Sequence, residues 1–399
     1  MALDRRGVTG SWVVVGSLWV VLAGANAYYI VPSGILPVIM ERLDVGPTAA
    51  SLLVSVMFGT QVLVGVPVGI VLDRVDNRAA IAVASFVLVV SYVWSFRAAG
   101  AGGFGSILAA RSVATVGTAA IWAASINVTG RAFSPERRAT AVAVVTSAPP
   151  GGFALGLVSG PAVADWFGWT TIFLVYALPV VIGCLLFWVA SRGLTGTTSG
   201  GSTAQSADFV KLLSTRSIWL VASMAFLGFS LYAFVTSWAP TYLTDSLGVS
   251  MAYGGLFAAL FPAIGILARG GSGYVSDRLF AHRRRPVALL SFVVSAPAIV
   301  LLAVTDNIAI VIGALLVSGL FVQLGLGLFY AQARELADPS VVATAIGLTT
   351  SLAVFGGFVA PILGGYLIEH SGYDAAFGYA VVMAVLGSLL AWYSPEPEL

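Results

Sequence analysis

The sequence predicts an all-α membrane protein with twelve transmembrane helices in two pseudo-symmetric six-helix bundles. Three observations carry that prediction. The 399 residues are 59% hydrophobic and only 9% charged, against about 25% charge in a soluble domain. Apolar runs long enough to cross a bilayer recur along the whole chain. A short motif, Gly69-Ile70-Val71-Leu72-Asp73-Arg74, returns 204 residues later as Gly273-Tyr274-Val275-Ser276-Asp277-Arg278.

A spanning helix needs about 20 predominantly apolar residues. Six runs of that kind occupy 12–40, 48–72, 79–96, 104–130, 139–163 and 169–190. Six more occupy 217–243, 251–275, 287–305, 308–333, 341–368 and 374–393. The opening run is too long for a signal-peptide core and reads as a retained helix. Pro32, Pro67, Pro240, Pro262 and Pro361 lie inside runs. In water they would break helices, whereas in a bundle neighbouring helices satisfy the freed carbonyls. Gly152, Gly156 and Gly160 recur every four residues, a spacing that suits close helix packing.

Loop charge sets orientation. Arg74, Arg78, Arg131, Arg137, Arg138, Arg278, Arg283, Arg284, Arg285 and Arg334 fall on one side with Arg5, Arg6, Arg192, Lys211 and Arg216, and only Arg42 and Arg97 on the other. The expected arrangement is a multi-pass protein of the cell membrane with both termini cytoplasmic. A segment rich in Gly, Ser and Thr at 196–203 marks a flexible linker. The expected organisation is therefore an N-terminal bundle over 1–191, a cytoplasmic linker over 192–216 and a C-terminal bundle over 217–399.

The two halves match at one constant offset. Tyr28 pairs with Tyr232, Leu43 with Leu247, Pro135 with Pro339, Gly152 with Gly356, Gly160 with Gly364, Gly168 with Gly372 and Phe173 with Phe377. Two parallel copies of a six-helix unit are a transporter architecture.

On these residues the chain resembles the major facilitator superfamily. The Asp-Arg loop between helices 2 and 3 is similar to that family's best-known signature, and the loop between helices 8 and 9 carries its second copy. Arg111 with Gly117 loosely resembles the helix-4 motif without its usual Gln-Gly spacing, and Pro361-Ile362-Leu363-Gly364-Gly365 fits the glycine/proline helix. The resemblance covers essentially the whole chain. It implies alternating access, in which two bundles rock around a central site, with Gly69, Asp73, Arg74 and Arg78 and their counterparts Gly273, Asp277 and Arg278 as gating residues. Asp73 would pair with a cation or helix N-terminus, and Arg74 and Arg78 with carboxylates and helix C-termini. In the second copy Arg78 corresponds to His282, and Arg283, Arg284 and Arg285 form an inserted basic cluster.

Every acidic residue falls in a terminus, a loop or a helix end, whereas Arg111 and Arg269 fall inside helices. An arginine at the bilayer centre costs about 2.5–3.5 kcal/mol on insertion scales, so it faces a cavity or a partner. With no protein carboxylate at that depth, the expected partner is a substrate anion. Arg269 precedes Gly273 by four residues and Asp277 by eight, which puts all three on one helical face. It resembles the helix-8 arginine of the family's monocarboxylate and oxalate/formate branches, which contacts the substrate carboxylate. The acidic residue that the monocarboxylate branch carries four positions earlier is Gly265 here, and helix 11 lacks the lysine of the oxalate/formate branch. A singly charged anion is favoured over a dicarboxylate. Arg111, about 10 Å down helix 4, is open to three roles: a second anion contact, a proton-path group, or a residue bonded to neighbouring carbonyls.

The resemblance also places helices 1, 4, 7 and 10 around the cavity. Asn26, Tyr28, Tyr29, Thr115, Thr118, Trp122, Tyr232, Thr236, Trp238, Gln323 and Tyr330 lie on them. The candidate substrate-binding set is Arg269, Arg111, Asn26, Tyr29, Tyr232, Trp122 and Gln323. No nucleophile–base set, metal-ligand spacing or dinucleotide fingerprint is present. The expectation is no enzyme, no cofactor, no metal and no nucleic-acid partner. The expected function is secondary active transport of a small organic anion. With no buried carboxylate, proton symport would need the anion itself, or Asp44 or Glu41, to carry the proton. The alternatives are a drug or metabolite efflux antiporter, which normally uses a membrane-embedded acid, and a transporter-like sensor.

Overall fold

Apolar helices make up nearly all of the computed structural model, which describes residues 5–193, 215–338 and 341–396. Among the described residues there is no β-strand. The spans are α1 Gly10–Gly34, α2 Pro47–Leu72, α3 Asn77–Gly100, α4 Phe104–Ala132, α5 Glu136–Phe167, α6 Trp169–Ala190, α7 Arg216–Asp245, α8 Met251–Leu279, α9 Arg285–Val304 and α10 Ile308–Leu336. A final helical stretch, Val342–Trp392, is broken at Gly372 (φ 83°). It therefore holds two spans, α11 over 342–371 and α12 over 373–392. The all-α fold with twelve spans matches the expectation. The linker expected over 192–216 lies almost wholly outside the described residues.

The repeat is visible in the backbone itself. α2 and α8 start at Pro47 and Met251, and α4 and α10 start at Phe104 and Ile308, each pair 204 apart. Gly168 ends α5 at φ 87° and its counterpart Gly372 ends α11 at φ 83°. Only glycine adopts this left-handed backbone without a Cβ penalty. Capping is sparse but specific. Asp76 accepts from the Arg78 and Ala79 amides at the start of α3, and Asn307 accepts from Ala309 at the start of α10.

The second copy departs at one place. α3 begins at Asn77, whereas α9 begins at Arg285, yet both end in register at Gly100 and Val304. The Arg283–Arg285 cluster is thus not an insertion, as the sequence suggested. The residues that would form the first turn of α9 are unwound into the loop, with Ala281 and His282 at φ 50° and 64°.

The chain packs as two compact units, Met1–Asp44 with Thr60–Gly201, and Val45–Gly59 with Ser202–Leu399. α2 is therefore divided, its first turns packing in the second unit. In the first unit α1 lies so close to α5 that a Cβ on Gly152 would sit 2.4 Å from the Ala23 carbonyl oxygen, and one on Gly156 2.6 Å from that of Ala27. In the second unit a Cβ on Gly356, the counterpart of Gly152, would sit 2.4 Å from the Phe226 oxygen. Lipid tails are as apolar as leucine, so burial from water inserts these helices without pairing them. Close packing and interhelical hydrogen bonds hold the bundle.

Candidate functional site

The second unit presents a half-buried guanidinium on α8. Arg269 Nε donates to Gln323 Oε1 of α10 at 3.1 Å, and the guanidinium lies 5.1 Å from the centre of the Tyr232 ring on α7. Among the described residues no carboxylate pairs with Arg269, and its terminal nitrogens meet no protein acceptor.

The local backbone explains why Gln323 is there. α8 carries Pro262, and its regular helix lapses at Ile264 before resuming at Gly265. Gln323 Nε2 donates to the carbonyls of Phe261 at 2.8 Å and Pro262 at 3.3 Å, at this break. Gln323 is fully buried. It holds two chain segments together with one carboxamide.

Arg111 in the first unit has a different setting. It is 0% exposed. Its Nη1 and Nη2 donate to the carbonyls of Tyr28 and Tyr29 at 3.2 and 2.6 Å, and its guanidinium sits 4.8 Å from the Tyr28 ring centre. Both of these bonds are to neighbouring carbonyls. Tyr28 and Tyr232, one repeat apart, each carry an arginine on the ring, but the arginines come from different helices, α4 and α8. Tyr28 is tied further by Ser95 at 2.6 Å and a Tyr92 stack at 3.9 Å.

The other sequence-selected residues divide between the two units. Asn26 turns its amide back onto the Leu22 carbonyl at 2.8 Å. Tyr29 is buried 5.9 Å from Phe153, and Trp122 is half-buried on α4. Thr115, Thr118 and Thr236 bond to the carbonyl one turn earlier in their own helices. Trp238 donates to the Pro361 carbonyl. Within the candidate set, Arg269 touches both Gln323 and Tyr232, and Arg111 bonds the Tyr29 carbonyl.

The two Asp-Arg loops also differ. Asp73 and Arg74 are exposed at the end of α2, and nothing crowds Gly69 or Gly273. Arg78 donates to the Trp188 carbonyl, near the end of α6, at 2.6 Å and stacks over that ring at 4.1 Å. In the second copy Arg278 is exposed. Asp277 instead meets Arg284 at 2.7 Å and His282 at 3.2 Å. Arg284 also grips Glu335 through Nε and Nη2 at 3.0 and 2.7 Å. Glu335 foremost, and Asp277, hold the Arg284 guanidinium charged. Glu396 accepts from the Arg284 and Arg285 amides at the start of α9. Sequence reading flagged the Arg283–Arg285 cluster but not which member bridges, because the partners lie up to 112 residues away.

At the opposite ends of these helices, Glu369 of α11 accepts from the Thr48 amide at 3.0 Å and from its hydroxyl, capping α2. The pocket beside it, about 540 Å³, is lined by Gly46, Leu52, Ile362, Tyr366 and His370 among others. Sequence reading placed Glu369 only at a helix end.

A family model described as Major Facilitator Superfamily matches residues 17–361 and 283–399. A "Hexuronate transporter" of Bacillus subtilis (strain 168) is 25% identical, over 88% of this chain and 87% of its own. An "MFS-type efflux pump" of Mycolicibacterium smegmatis is 28% identical, over 98% and 94%. Among solved structures, a bacterial homolog of the human lysosomal transporter Spinster, in an inward-facing and unoccupied conformation, superposes with TM-score 0.81 over 98% of both chains. At 14% identity that likeness concerns the fold alone.

Proposed function

Because the chain belongs to the Major Facilitator Superfamily and is a multi-pass membrane transporter rather than an enzyme, we propose that it moves a small, singly charged organic anion across the cell membrane by alternating access. The observation that carries this reading is Arg269, a half-buried cation whose one hydrogen-bonded partner among the described residues is a neutral amide. Its terminal nitrogens form a planar donor pair that matches a carboxylate. Tyr232 and Tyr330 supply the aromatic wall, and Arg111 serves the frame of the first unit rather than the ligand. The Bacillus relative supports the same chemistry, since a hexuronate carries one carboxylate.

In this reading both termini are cytoplasmic, and Asp73, Arg74, Arg78 and the Asp277–Arg284 bridge bias the gate. Proton coupling goes through the anion or through Asp44 or Glu41. The Mycolicibacterium relative favours a second reading, an efflux antiporter for metabolites or drugs.

Uptake of labelled monocarboxylates into proteoliposomes, with and without an inward proton gradient, tests the proposal. Charge-assisted hydrogen bonds are each worth about 1.5–3 kcal/mol. Arg269→Gln should therefore cost roughly tenfold to hundredfold in the half-saturating concentration. Unchanged uptake in the variant, or flux only of cationic compounds outward, would replace the anion reading with efflux.

A further inference from the structure

Gln323 sits where α8 and α10 approach closely. One turn before it, a Cβ on Gly319 would lie 2.7 Å from the Phe261 carbonyl oxygen, so α10 can reach the break in α8 only with glycine at 319. Across from it, a Cβ on Gly265 would lie 1.8 Å from Gln323 Oε1 and 2.1 Å from its Cδ. Residue 265 is one helical turn before Arg269, and the amide occupies the volume that any side chain there would fill.

The donors and acceptors around this amide leave one orientation. Arg269 Nε only donates, so it must face oxygen, and the Phe261 and Pro262 carbonyls only accept, so they must face the amide nitrogen. Glutamate has the same length, but an ionised carboxylate there would face two carbonyl oxygens without a proton. Leucine would leave a donor and two acceptors unpartnered. Asparagine is one methylene too short. Glutamine bonds both neighbours and does so without charge, so the guanidinium stays oriented while its full positive charge remains free.

We propose that Gln323, seated by Gly265, is the positioning and charge-selectivity residue of this transporter: it aims Arg269 with a neutral acceptor and thereby makes the site a receptor for one negative charge. The inference rests on the reading of Arg269 as the anion contact. It predicts that the charge at 323 sets the charge the site accepts. Gln323→Glu pairs the arginine internally, leaving the pair neutral and the anion without its cation. Protonation of that glutamate restores a neutral group that both donates and accepts.

The test uses full-length protein in proteoliposomes, with labelled glucuronate and lactate as probes, from pH 5 to 7.5. Wild type, Gln323→Glu, Gln323→Leu and Gly265→Ala are compared after each elutes as a monodisperse peak. In parallel, phenylglyoxal modification of Arg269 is followed by peptide mass spectrometry. For Gln323→Glu the expected result at pH 7.5 is a rise of about tenfold or more in half-saturating concentration, from one unit charge placed beside the guanidinium. Uptake should recover as pH falls, a rise beyond any pH dependence of wild type. Arg269 modification should slow in Gln323→Glu and quicken in Gln323→Leu and Gly265→Ala. A Gln323→Glu profile that parallels wild type at every pH would overturn the selectivity role. Equal modification rates in all four proteins would overturn the positioning role. If wild type carries neither probe, the anion reading of the site fails, and the modification rates still decide whether Gln323 holds Arg269.

Discussion

Removing the Arg284 guanidinium should destabilise the protein, whereas removing the motif arginine Arg278 should not. Arg284 makes four side-chain hydrogen bonds, to Asp277, Ser276 and both oxygens of Glu335. Its own side chain is 12% exposed, but the carboxylates are 42% and 33% exposed. Charge-assisted bonds contribute about 1.5–3 kcal/mol each when dry, and exposed pairs about 0–1. Solvent at the carboxylates pulls the sum well below four full bonds, to about 2 kcal/mol for Arg284→Ala. In a unit of this size that is roughly 4–8 °C in Tm. Arg278, exposed and without a side-chain partner among the described residues, should shift Tm within the noise of surface substitutions, about 0.5 kcal/mol. The assay is thermal unfolding in detergent, followed by intrinsic fluorescence and by loss of monodisperse protein. A double-mutant cycle of Arg284→Ala with Glu335→Gln should be clearly non-additive. Equal shifts for Arg278→Ala and Arg284→Ala, or strict additivity in the cycle, would refute the assignment.

Three further outcomes follow from the packing. Gly152→Ala forces a methyl to 2.4 Å from the Ala23 oxygen and should cost about 1–3 kcal/mol by overpacking, read as a lower Tm with the helical circular dichroism intact. Arg111→Leu removes the donors to the Tyr28 and Tyr29 carbonyls and should cost about 2–4 kcal/mol. The half-saturating concentration of the surviving folded fraction should stay unchanged; a rise there instead would return Arg111 to the ligand set. Glu369→Ala removes the cap on Thr48, so an Ala49→Cys reporter beside it should react severalfold faster with a hydrophilic maleimide in vesicles, and an unchanged rate would show that the cap does not hold this end of α2.

The helical spans, the six-residue motif and its return at one offset, and the placement of Arg269 and Arg111 inside spans were all legible in the linear chain. Each is a local property or a repeat of one. An apolar run of about 20 residues has to become a helix in a bilayer, because no water is present to satisfy its backbone. Two matching copies have to repeat their turns, which is why Gly168 and Gly372 share a left-handed backbone. The division of the Asp-Arg partners was not legible. Residues 281–284 leave the helical register in the second copy alone, and the bridge then falls to Arg284.

Chain sequence by itself therefore determined the membrane class, the twelve-helix repeat and the scarcity of buried counter-charges. Tertiary structure alone decided which of two intramembrane arginines is enclosed and which is held by a neutral amide. Spacing along a helix reports which residues share a face. It does not report how two helices rotate and how close they come, and that is what joins Arg269 to Gln323 across 54 residues and Thr48 to Glu369 across 321. Those distances of approach are set by glycines such as Gly265 and Gly319, whose missing side chains have meaning only once the neighbouring helix is in place.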